Sequence, residues 1–98
     1  MNTANLQLEG LLLLAHELLR DLQRKSIITS EDISSILGAA ERRALHEING
    51  RPDLSDANAL AILFPIAFLR RSLAESSEGR SFADIARDVS SEGRAQRW

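Results

Sequence analysis

The ten residues Leu60–Leu69, Leu-Ala-Ile-Leu-Phe-Pro-Ile-Ala-Phe-Leu, carry no polar side chain. As a helix the stretch is apolar on every side, so neighbouring elements must cover most of it. It is too short to span a bilayer, which takes roughly 17–25 apolar residues. Arg70 and Arg71 follow at once, and Asp56 and Asn58 stand just before it. The stretch therefore reads as the central helix of a small bundle. Pro65 removes one amide donor and crowds the carbonyl of Ala61. The pattern predicts one helix from about 56 to 75, kinked between 61 and 65; a break at Phe64 into two helices is the alternative.

Around this centre the sequence places three more helices. From Leu6 to about Lys25, Leu8, Leu11, Leu12, Ala15, Leu18, Leu19 and Leu22 fall on one face. Leu6 and Leu13 fall near the opposite side, with Leu14 on the margin. The helix is more apolar than a single buried stripe requires. Ile27 and Ile28 are expected to tuck under the bundle. Thr29-x-x-Asp32 resembles a capping box, and Glu31 and Asp32 favour a helix start there. A second helix over about 31–48 carries Ile33, Ile36, Leu37, Ala40, Ala44 and Ile48 inward. Asn49-Gly50 supplies a left-handed stop and Pro52 prevents resumption.

Asp53 or Ser55 caps the third helix at Asp56. Ser81 caps a fourth over about 82–91, with Phe82, Ile85, Ala86 and Val89 inward. The pentapeptide Ser76-Ser77-Glu78-Gly79-Arg80 recurs as Ser90–Arg94. Both copies read as helix ends with glycine just past the last turn. The expected architecture is all-α: a four-helix, bundle-like single domain over residues 1–93, with a central, Pro-kinked third helix and a short basic tail over 94–98 ending on Trp98.

Three segments, Asn5–Leu13, Leu54-Ser55-x-Ala57-Asn58 and Phe64-Pro65-Ile66, together resemble small uncharacterised helical proteins of bacteria. The resemblance covers most of the chain. It implies a self-contained bacterial domain, brings no named functional family, and transfers no site.

Composition narrows the function classes. A net charge of −2 over 98 residues lacks the basic excess usual in nucleic-acid binders. With no cysteine there are no disulfides, thiolate nucleophiles or zinc–thiolate sites. The Leu11–Leu14 run lacks the cationic start of a secretory signal, so the expected location is cytoplasmic. His16-Glu17 and His46-Glu47 share a dipeptide, but neither extends to His-Glu-x-x-His: position 19 is Leu and position 49 is Asn. Two boundary histidines are the simpler reading.

Ser81–Ser90 resembles the first helix of a helix-turn-helix, yet too few residues follow for a recognition helix. Arg42-Arg43 and Arg70-Arg71 with Arg80 and Arg87 suggest phosphate contacts, but carboxylates stand close to each in sequence, and an ion-paired surface is the better reading. The serines sit in caps and loops, where local backbone bonds explain them. No catalytic, cofactor-binding or metal-ligating residue is assigned, and no small-molecule substrate is indicated.

What remains is association. Gly10 and Gly38 lie inside helices, where glycine costs about 1 kcal/mol relative to alanine, and close helix contacts would offset that. The expected function is a protein–protein interaction module, self-associating as a homodimer through Leu6, Gly10, Leu13 and Leu14, or meeting another protein there. The alternative is a nucleic-acid-associated regulator using helix 4 and the basic tail; an enzyme comes third.

Overall fold

The computed structural model describes residues 3–74 and 77–96, the last five by their backbone alone. These residues form four helices and no strand: α1 (Thr3–Arg24), α2 (Ser30–Asn49), α3 (Asp56–Ser72) and α4 (Phe82–Gln96). Each of the other three helices packs on α3. An apolar helix of this kind needs cover in water, and the three neighbours bury Phe68 and leave most of the apolar run half-buried.

The helix starts follow from local chemistry. Thr29 accepts a hydrogen bond from the Asp32 amide at 3.0 Å, and the Asp32 carboxylate accepts one from the Thr29 amide at 2.8 Å. This is the capping box read from the sequence, satisfying two donors that the first turn leaves over. Ser55 accepts from the Asn58 amide at 3.1 Å, and Ser81 from the Asp84 amide at 3.1 Å. α3 continues unbroken through Pro65, so the two-helix alternative does not hold. The carbonyl that proline leaves without an amide partner belongs to Ala61, an exposed position where water can reach it.

The core joins α1, α3 and α4. Leu12, Phe68, Ile85 and Val89 are buried in one cluster, with Leu8, Phe64, Ala67, Leu69, Phe82 and Ala86 packed against it. Phe68 is its centre at 2% exposure; its ring lies 4.6 Å from that of Phe82 and 6.1 Å from that of Phe64, centroid to centroid. On α2, Ile33 and Leu37 are buried. The inward face expected for α4 is the one observed.

Several helix ends and faces differ from the sequence reading. Gly50 is right-handed, with φ −80 and ψ 0, and its amide reaches the His46 carbonyl at 3.2 Å; a last helical turn suffices to end α2 before Pro52. α3 stops at Ser72, earlier than expected, and Gly79 (φ +80) lies in the connection to α4 instead of ending α3. Gly93 lies within α4, which continues to Gln96, so it does not stop that helix. The tail's last two residues, Arg97 and Trp98, lie outside the described residues. Ile27 is 64% exposed and does not tuck under the bundle, whereas Ile28 is half-buried. Ile36 points outward although it fits the α2 stripe. Neither helical glycine marks a close helix contact: an added Cβ at Gly10 would meet nothing within 4 Å, and at Gly38 only the Arg42 side chain of the same helix, at 3.5 Å.

Candidate interaction surface and the cleft beside it

α1 is the helix whose faces decide the surface. Its 22 residues span roughly 33 Å. Only Leu12 is fully buried, while Leu8, Ala15, Leu19 and Leu22 are half-buried. Leu11 and Leu18, expected inward, are 65% and 58% exposed, and Leu14 is 66% exposed. At 100° per residue these three fall within an arc of about 60°. The helix is thus rotated by roughly 60° from the face that counting leucines suggests.

Polar anchors on its other flank account for the rotation. His16 Nδ1 lies 2.9 Å from Ser72 Oγ. Arg20 donates to the Leu73 carbonyl at 3.4 Å and to Gln23 Oε1 at 3.0 Å. These bonds hold the His16–Arg20 side against the end of α3, and the opposite leucines turn to solvent. All four residues proposed from the sequence as an interface, Leu6, Gly10, Leu13 and Leu14, are exposed. Gly10 lies between Leu13 and Leu14 around the helix.

The His16 flank borders a cleft of about 370 Å³ between α1, the end of α3 and the connection into α4. Leu13, Phe68, Phe82 and Ile85 supply its apolar lining. His16, Arg20 and Arg24 lie along one side of α1, four residues apart, and Ser72 and Ser77 also line the cleft. Both serines are 4% exposed. Ser72 Oγ is also 3.3 Å from the Leu69 carbonyl. Both of its contacts are satisfied together when Ser72 donates to that carbonyl and accepts from His16 Nδ1–H. The sequence reading treated His16 as half of a repeated dipeptide and did not anticipate Ser72, 56 positions away. No spacing rule connects them; only the packing of α1 on α3 does.

Burial, and after it the charge of Arg20, hold the His16 imidazole below its ordinary value; Arg24 acts in the same direction and Glu17 against it. As pH falls, the unfolded chain takes up this proton first, near about 6.5. The stability linked to neutral His16 is therefore complete above that value and drains away as pH falls toward the folded-state value. We expect His16→Gln to flatten the dependence of unfolding free energy on pH between about 7 and 5, measured by denaturant titration. Equal slopes for variant and wild type would remove the burial argument.

His46 is exposed on the last turn of α2, and no group of three or more His, Asp or Glu able to hold a metal occurs among the described residues. The arginines considered for phosphate contacts are largely engaged. Arg43 pairs with Glu47 at 3.5 Å, Arg70 with Glu41 at 3.3 Å, Arg87 with Asp84 at 3.5 Å, and Arg80 with Asp88. The hydrogen bond from Arg80, ahead of its charge, holds the Asp88 carboxyl below its ordinary value.

No protein-family model, curated protein or solved structure matches this chain. No helix among the described residues is long and apolar enough to cross a membrane.

Proposed function

We propose that this chain is a small helical protein–protein interaction module that self-associates through α1 and performs no chemistry of its own. The observation that carries this reading is the row Leu11, Leu14 and Leu18, each more than half exposed, flanked by Leu6 and Leu13. Single exposed leucines are ordinary, but a row over two turns of one helix is the kind of patch that marks an interface. A second copy of α1 fits it: a helix pairing antiparallel with itself gives a twofold, self-complementary contact. The open space over Gly10 leaves room for a partner backbone. A net charge of −2 opposes such pairing only weakly.

The nucleic-acid reading is less well supported, because Arg80 and Arg87 are committed to Asp88 and Asp84. Within the same proposal the protein works in the bacterial cytoplasm, where a chain without cysteine needs no oxidising surroundings.

Leu14→Glu is the test. Leu14 is largely exposed in the monomer, so the variant should keep its helical circular dichroism and sediment as a monomer, while the wild type sediments as a dimer at about 100 μM. A monomeric wild type at that concentration would sink the reading.

A further inference from the structure

The cleft beside α1 contains an unsatisfied group. Ser77 is 4% exposed, and its hydroxyl has no hydrogen-bond partner among the described residues. A buried hydroxyl left unpaired is unfavourable and calls for an explanation. The backbone of the same residue is fully used: its amide donates to the Ala74 carbonyl at 3.0 Å, and its carbonyl accepts from the Arg80 amide at 3.1 Å. The turn is thus tied down, and Ser77 is one of the residues that line the cleft.

Two further cations line the same cleft and differ from Arg80 in their partners. Arg80 also lines the cleft but is held by Asp88. Arg20 and Arg24 have no carboxylate within 4 Å among the described residues. Arg20 meets only the neutral oxygens of Gln23 and Leu73, which leaves most of its five N–H donors free. Gly79, next to the serine turn, has φ +80 and open space where a Cβ would stand, so backbone closes that side without side-chain bulk.

We propose that this cleft binds a small phosphorylated organic molecule, with its phosphate between Arg20, Arg24 and the Ser77 hydroxyl and its organic part on Leu13 and Phe82. Phosphate matches this donor set: guanidinium forks pair with its oxygens, and a hydroxyl takes one more. The volume is that of a small-ligand site, and the lining is mainly polar and charged around an apolar floor, which suits a charged ligand better than an apolar one. Glu17 and Glu78 also line the cleft and oppose the anion, so removing either charge should tighten binding. The proposal does not require self-association, although Leu13 borders both surfaces.

The test is an amide and arginine-Nε NMR titration of the whole chain with inorganic phosphate and with phenyl phosphate, at constant ionic strength. Saturable shifts are expected at Ser77, Gly79, Arg20 and Arg24, with phenyl phosphate binding more tightly than phosphate. Arg24→Gln, an exposed position, and Ser77→Ala, which removes only an unpaired hydroxyl, should both fold. Each should weaken phenyl phosphate binding by roughly tenfold, the scale of one charge-assisted hydrogen bond. Glu17→Gln should strengthen it. Absence of saturable shifts at these residues overturns the proposal. So does undiminished binding by Arg24→Gln and Ser77→Ala, which would mean general anion attraction, or phenyl phosphate binding no better than phosphate.

Discussion

Phe68→Ala should destabilise the protein by about 3–5 kcal/mol, the range for truncating a buried phenylalanine. Phe68 is 2% exposed and touches the cores contributed by α1, α3 and α4 through one cluster. Its ring packs on Phe82 at 4.6 Å, so the variant loses an aromatic pair as well as buried area. A domain of this size has about 5–15 kcal/mol in all, so the variant should be close to unfolding at moderate temperature. Phe64→Ala should cost less, because Phe64 is only half-buried. Chemical denaturation monitored by circular dichroism measures both. A loss for Phe68→Ala below about 1 kcal/mol would mean that α3 is not the centre of the fold.

Leu12→Ala should cost about 2–5 kcal/mol, while Leu11→Ala and Leu18→Ala should each stay within about 0.5 kcal/mol of wild type. The comparison is sharp because the three residues are chemically identical and stand on one helix. Leu12 is 3% exposed and belongs to the central cluster, whereas Leu11 and Leu18 face solvent in the monomer. The measurement belongs at low micromolar protein, so that any dimer contact made by the outer leucines does not enter the monomer's stability. Equal losses at all three positions would show that α1 buries the face that leucine counting suggests and that the His16 and Arg20 bonds do not set its rotation.

Those two experiments fall on either side of a division in what the chain encodes. The helix starts are local matters. Thr29 with Asp32, Ser55 with Asn58 and Ser81 with Asp84 are satisfied within three residues, so the sequence states them outright. The wholly apolar run Leu60–Leu69 demanded enclosure whatever surrounded it, and α3 is the helix on which the others pack. The inward face of α4 was equally legible, because Phe82, Ile85, Ala86 and Val89 are its only sizeable apolar stripe.

The rotation of α1 was not legible in this way. Leucines occur all round that helix, so hydrophobic periodicity supports several faces almost equally. What separates them is His16 meeting Ser72 and Arg20 meeting Leu73, contacts spanning more than fifty residues that have no counterpart in local spacing. The cleft has the same origin. Arg20 and Arg24 are one turn apart in any helix, but Ser77 shares a cleft with them only because α1 lies on the end of α3. Helix ends at glycine are not fixed by the sequence for a related reason. Gly50 ends α2 in a right-handed conformation and Gly93 is carried inside α4, since glycine permits a left-handed stop without requiring one. Local hydrogen bonding and the demand to bury an all-apolar helix were thus written in the sequence, whereas the choice among competing leucine faces, and the surface it leaves exposed, was made by polar contacts that exist only once the helices have packed.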